Sequence, residues 1–155
     1  MKTAVFAGTF DPITTGHEYV IKKCLEKFDK VIVVVADNDK KTPIFSSDKR
    51  RDFILSVFDK DTNVEVCIHH GLMMDFMKER GLIYYVRGIR DEKDKEYEDK
   101  MKAFNLSVYP ELQNVYIDAP KDLKMVSSTC VRNQLNFDYI PSKIKGLVKT
   151  ALTEK

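Results

Sequence analysis

The string Gly8-Thr9-Phe10-Asp11-Pro12-Ile13-Thr14-Thr15-Gly16-His17 follows directly on a short apolar run, Ala4 to Ala7. Its composition suits a phosphate chain. A glycine at position 8 lets a backbone or a phosphate come close where a Cβ would intrude. Pro12 restricts the loop, and Gly16 permits a sharp turn into a helix. His17 then falls in the first helical turn, where unpaired N–H groups and the helix dipole favour an anion. An ordinary turn carrying a surface histidine would need none of the other residues in the string.

Three further strings could meet the same anion. Tyr85-Val86-Arg87-Gly88-Ile89-Arg90 brackets a glycine with two arginines, whose planar guanidinium groups make bidentate contacts to phosphate oxygens. The competing reading pairs both arginines with the acidic stretch that follows. Val126-Ser127-Ser128-Thr129-Cys130-Val131-Arg132 puts hydroxyls at a helix start, where they can cap it or donate to phosphate. Lys40-Lys41-Thr42-Pro43-Ile44-Phe45, followed by Arg50 and Arg51, offers Lys41 as an anion contact or as a solvated loop lysine. No Ser-His-Asp or Cys-His nucleophilic arrangement is visible, and the Walker A and GxGxxG patterns are both absent.

The elements that must position these strings alternate. Ala4 to Ala7 reads as a first strand, and Val20, Ile21, Cys24, Leu25 and Phe28 fall on one face of a helix. Val31 to Ala36 is apolar throughout, as suits a parallel strand covered on both sides. Ser47 is the expected cap of a helix with Asp48 in its first turn and Phe53, Ile54, Val57 and Phe58 as its apolar face. Val64 to Ile68 gives a third strand, Leu72 to Arg80 a third helix, and Ile83 to Val86 a fourth strand. A long helix is expected from near Glu92, and Val115 to Ile117 forms a fifth strand. Ser127 or Ser128 caps the next helix, and the last one runs from Ser142. This order predicts a single α/β domain over 1–155: a doubly wound, Rossmann-like fold with a five-stranded parallel sheet flanked by helices. Ligands in such sheets bind beyond the carboxyl ends of the strands, where the strings above lie.

Bulk composition narrows the partners. With 26 Lys and Arg against 24 Asp and Glu, the formal charge is only +2, which argues against broad attraction to nucleic acid. Cys24, Cys67 and Cys130 are odd in number and form no CxxC pair, so they read as small buried hydrophobes of a reducing compartment. His69 and His70 are adjacent, and no ligand-spaced His or Cys cluster is seen. No apolar run is long enough to span a bilayer, and no signal-peptide pattern follows Met1-Lys2. A cytoplasmic protein without a membrane partner is expected.

Taken together, the strings resemble the T/HxGH nucleotidyltransferase superfamily, which transfers nucleotidyl groups with a GTFDPxHxGH-like loop. Thr14 stands where many relatives have a first histidine. That variant, with RGIR followed by Asp94 and Tyr97-Glu98, resembles the phosphopantetheine adenylyltransferases in particular, rather than glycerol-3-phosphate cytidylyltransferases or nicotinamide-mononucleotide adenylyltransferases. VSSTCVR resembles the superfamily's ISSTxxR-like motif, with Asn133 where a glutamate is expected.

The resemblance implies adenylyl transfer from ATP to 4′-phosphopantetheine, giving dephospho-coenzyme A and pyrophosphate by direct in-line attack. It implies His17, Lys41, Arg87 and Arg90 as the catalytic set. Phosphopantetheine would meet Thr9, Lys41, Leu72, Met73, Arg87 and Asn105, although residues such as Leu72 and Met73 are more often core than ligand pocket. ATP would meet Gly8, Thr9, Phe10 and His17, then Gly88, Arg90, Tyr97 and Glu98, and finally Ser127, Ser128 and Thr129. Mg2+ would arrive with ATP and not on protein side chains. Coenzyme A as a feedback ligand and a homohexamer are also implied.

Overall fold

A computed structural model of the chain describes residues 1–37, 42–134 and 137–154. Five parallel strands, β1 (Thr3–Gly8), β2 (Lys30–Asp37), β3 (Val64–His70), β4 (Tyr84–Ile89) and β5 (Gln113–Asp118), pair in the order β3-β2-β1-β4-β5. Helices α1 (Thr15–Lys27), α2 (Ser47–Val57), α3 (Met73–Glu79) and α4 (Glu92–Val108) connect them, and α5 (Ser128–Gln134) and α6 (Lys145–Thr153) follow β5. This is the doubly wound, Rossmann-like α/β architecture that the alternation predicts. Strand order reverses between β1 and β4, which opens a crevice at the carboxyl edge.

Side-chain alternation divides the apolar residues between two layers. Val31, Val33 and Val35 of β2 pack with Ala4 and Phe6 of β1 against Ile21 and Cys24 of α1 and Ile54 of α2. Ile32 and Val34 point the other way and join Val5, Ala7 and Tyr85 against Met74 and Met77 of α3. Burying both faces explains why β2 has no polar alternation.

Several boundaries differ from the sequence reading. The α2 cap is Ser46, whose hydroxyl accepts from the Lys49 N–H at 3.2 Å, and Ser47 is already helical. Strand β4 continues to Ile89, so Arg87 and Gly88 lie in the strand and not after it; pairing with β1 ends at Val86, and pairing with β5 carries the strand past the apolar run. Leu72 caps α3 and is not inside it. The segment from Ser142 begins as a 3-10 turn, Ser142–Ile144, before α6. Only Cys24 is fully buried; Cys67 and Cys130 are partly exposed.

Helix α4 inverts the usual pattern. Glu98 and Asn105 are its buried residues, while Tyr97, Phe104 and Val108 are exposed. Its inward side is acidic because β4 and the residue after it present two arginines there. Among the described residues no helix is long and apolar enough to cross a membrane.

Candidate active site

A cleft of about 680 Å3 opens at the carboxyl edge, over the reversal between β1 and β4. The loop after β1 forms its floor. Phe10 sits in the left-handed backbone region at φ 50°, which costs a non-glycine residue roughly 1–3 kcal/mol. Burial of its ring offsets that cost: Phe10 is 2% exposed and meets Phe6 and His17 edge to face, with centroids 5.4 and 4.8 Å away. Gly8 makes this possible, because a Cβ there would lie 3.3 Å from the Phe10 ring. Gly16 lies inside α1 and is not a turn residue; a Cβ there would make only ordinary contact with Val126, at 3.7 Å.

Thr14 is the N-cap of α1 and His17 its third residue. The Thr14 hydroxyl accepts from the His17 N–H at 3.3 Å, and the Thr14 N–H donates to His17 Nδ1 at 3.0 Å. A reciprocal cap of this kind satisfies two helix-end donors. It also decides the tautomer. A backbone N–H can only donate, so Nδ1 is the acceptor and the neutral ring carries its hydrogen on Nε2. Burial, then the positive charges of Arg90 and Arg87, push the His17 imidazole down to about 3. The free site therefore holds a neutral histidine that offers one oriented N–H donor to the cleft.

Three arginines line the cleft, each facing its own carboxylate. Arg87 donates Nε to Glu98 at 3.0 Å and Nη1 to the Ala7 carbonyl at 2.7 Å. Arg90 donates Nε and Nη2 to the two oxygens of Asp94, at 2.9 and 3.3 Å. Arg132 donates Nη1 to the Asp11 carbonyl at 2.7 Å and lies 3.7 Å from the Asp11 carboxylate. Both readings of the arginine string are thus combined: the side chains pair with α4 and still face the cleft. Gly88 lets α1 lie close, since a Cβ there would be 3.2 Å from Val20.

The hydroxyl string divides its work. Ser127 caps α5 by accepting from the Cys130 N–H at 3.0 Å and keeps its own hydrogen. Ser128 donates to the Pro12 carbonyl at 2.7 Å, which ties α5 to the β1 loop. Thr129 accepts from Arg132 Nη2 at 3.2 Å. Ile117, Ala119, Leu123 and Val126 give the β5 side an apolar wall beside these donors, a surface suited to a flat base.

Of the residues picked from sequence, Gly8, Thr9, Phe10, His17, Arg87, Gly88, Arg90, Tyr97, Glu98, Ser127, Ser128 and Thr129 all line this cleft. Leu72, Met73 and Asn105 do not. Leu72 is 60% exposed, Met73 packs on the second core layer, and Asn105 is buried in α4. Lys41 lies outside the described residues. Asp11, Thr14 and Arg132 also line the cleft with roles that sequence reading did not assign; the Thr14-to-His17 spacing of a capping box was the available signal for the second.

Comparison with known proteins agrees with this geometry. Residues 5–134 match the model of the cytidylyltransferase-like family. The phosphopantetheine adenylyltransferase of Clostridium botulinum strain Hall is 38% identical over 100% of this chain and 98% of its own length. That of Thermotoga neapolitana is 38% identical over 83% and 80%. The chain belongs to the phosphopantetheine adenylyltransferase family. It is a nucleotidyltransferase with a nucleotide-binding, Rossmann-like fold. Among solved structures, NadR in complex with NAD and AMP-PNP superposes with a TM-score of 0.60 at 20% identity. A bifunctional NMN adenylyltransferase/ADP ribose pyrophosphatase from Francisella tularensis, complexed with AMP and a Mn ion, gives 0.65 at 18%. The chain covers 92% and 91% of itself in these matches but only 45% and 44% of the two neighbours. At such identities the likeness is one of fold.

Proposed function

We propose that the chain, as one nucleotidyltransferase domain over 1–155, transfers the adenylyl group of ATP to 4′-phosphopantetheine. An oxygen of the pantetheine phosphate attacks the α-phosphorus in line. The bond from that phosphorus to the bridging oxygen of the β-phosphate breaks, and pyrophosphate leaves with the electron pair. The observation that carries this reading is the neutral His17, fixed as an Nε2–H donor between two arginines. A donor of that kind stabilises developing phosphate charge. A phosphate nucleophile is ionised near neutral pH and needs no base, so positioning and charge stabilisation suffice.

The apolar wall of Ile117, Ala119 and Leu123 receives the base. Arg90, Ser127 and Thr129 hold the β- and γ-phosphates, with Gly8, Phe10, Gly88, Tyr97 and Glu98 completing the nucleotide side. Ser128, committed to Pro12, holds the wall behind them. The acceptor phosphate meets Thr9, Arg87 and Lys41, and its pantetheine arm extends towards Leu72, Met73 and Asn105. The carboxylates lining the cleft are engaged: Asp94 and Glu98 by arginines, and Asp11 by the N–H groups of Ile44 and Phe45. No group of three or more His, Cys, Asp or Glu that could hold a metal ion occurs among the described residues. In this reading Mg2+ arrives as part of the ATP substrate. A role in coenzyme A biosynthesis in the cytoplasm, feedback by coenzyme A in the same cleft, and a homohexamer belong to this reading.

Pyrophosphate release tests it. ATP with 4′-phosphopantetheine should give release, whereas CTP with glycerol 3-phosphate and ATP with nicotinamide mononucleotide should not. Release with none of the pairs would point to a nucleotide sensor. The pH profile offers a second check. Because His17 in the free site titrates at about 3, it should add no limb to kcat/KM between pH 5 and 9. The acid limb should sit near the second ionisation of the acceptor phosphate, at about 6. Persistence of that limb in His17→Ala would assign it to the substrate, and its disappearance would assign it to His17.

A further inference from the structure

Arg50 is 1% exposed, does not line the cleft, and has no role in the chemistry above. Its position on α2 is three, four and seven residues before Phe53, Ile54 and Val57, so the helical period carries the charge into the core with them. A buried guanidinium must be fully engaged to be tolerated. Nε donates to the Phe45 carbonyl at 3.1 Å, and Nη1 donates to the carbonyls of Thr9 and Ala36 at 3.0 and 3.4 Å. Nη2 lies 3.5 Å from the Asp37 carboxylate. One side chain thereby joins the β1 loop, the end of β2 and the segment before α2.

The same segment is gripped from the other side. Asp11, 2% exposed, accepts from the Ile44 and Phe45 N–H groups at 2.8 and 3.0 Å. Carbonyl and amide groups of 44–45 are therefore held by two buried charges of opposite sign, both anchored at the β1 loop. Thr42 and Pro43, immediately before, form the cleft wall on the β2 side, away from the apolar wall on the β5 side.

We propose that Arg50, acting with Asp11 as a brace, is a positioning residue that sets the distance between Thr9 and the Thr42–Pro43 wall. This assignment rests on the adenylyl-transfer reading for its kinetic consequence: the brace should govern the acceptor and not the nucleotide. Arg50→Lys keeps the charge but replaces a planar fork with a point donor unable to span the three carbonyls. The full chain carrying it should lose roughly a hundredfold in kcat/KM for 4′-phosphopantetheine, the scale of a small misplacement of reacting groups. Binding of a non-hydrolysable ATP analogue, read by calorimetry, should be unchanged. Hydrogen exchange of the peptide spanning 42–46 should accelerate. If Arg50→Lys does not fold, Asp37→Asn removes the carboxylate beside Nη2 without touching the cleft lining and should give the same exchange and kinetic pattern. Unchanged exchange, or equal losses for nucleotide and acceptor, would overturn the proposal. Absence of transfer in the unsubstituted protein would instead remove the functional reading and leave the exchange result to judge the brace.

Discussion

His17→Ala lowers kcat by roughly two to three orders of magnitude, the usual cost of removing one preorganised transition-state donor, while affinity for ATP stays close to that of the unsubstituted chain. The expectation follows from the geometry of α1. The Thr14 N–H occupies Nδ1, so the imidazole can act only through Nε2–H. Burial and the two arginines depress its basicity to about 3 in the free site, which favours the neutral, donating ring there. What it can do is donate to oxygen as charge accumulates at the α-phosphate, an interaction stronger in the transition state than in the ground state. Steady-state pyrophosphate release and calorimetry with a non-hydrolysable analogue measure the two quantities separately. Part of the capping box is lost as well, so a modest loss of stability, of order 1 kcal/mol, should accompany the kinetic effect. Unimpaired turnover would remove His17 from the mechanism.

Arg87→Met should unfold in urea with about 3–5 kcal/mol less stability, because it strands a buried carboxylate. Glu98 has only 8% of its side chain exposed, and Arg87 Nε donates to it at 3.0 Å. Adding Glu98→Gln should restore most of the stability, since the remaining amide carries no charge to desolvate. Activity should not return with it. Arg87 faces the cleft, and in the proposed reading its guanidinium holds the acceptor phosphate. The double variant therefore separates the two roles of one side chain. Recovery of turnover along with stability would reduce Arg87 to a partner of Glu98.

Much of the architecture was legible from apolar periodicity alone. Val31 to Ala36 reads as a strand buried on both faces, and Val20, Ile21 and Cys24 as the inner face of a helix, and both readings hold. The motif strings likewise located most of the cleft, because loops at the carboxyl edge converge whatever their order in the chain. What stayed hidden depends on charges meeting across the fold. Arg50 sits on the apolar period of α2, yet nothing local says that three carbonyls await it. Pairing of Arg87 and Arg90 with the acidic run is one of two readings of that string, but nothing local says that both hold at once, with Glu98 and Asp94 as the partners inside the cleft. The end of β4 was misplaced for a related reason. Arg87 and Gly88 have no strand character of their own and are held extended by pairing with β5. Ser46 and Ser47 are both suitable caps by residue type, and it is the Ser46 hydroxyl that meets the Lys49 N–H.

The pairing of every cleft arginine with a carboxylate has a consequence for turnover. Arg87, Arg90 and Arg132 are matched by Glu98, Asp94 and Asp11, and His17 adds no charge, so the described part of the cleft is electrically neutral before substrate arrives. A polyanion there is held by aimed hydrogen bonds and not by an excess of positive charge, and hydrogen bonds select shape where net charge selects only valence. Pyrophosphate, once cut loose from the adenylyl group, keeps its charge but loses the base and sugar that oriented it. Where the described side chains sum to no charge, the grip on that ion rests on the aimed bonds alone, and it should escape faster than from the same donors left unpaired.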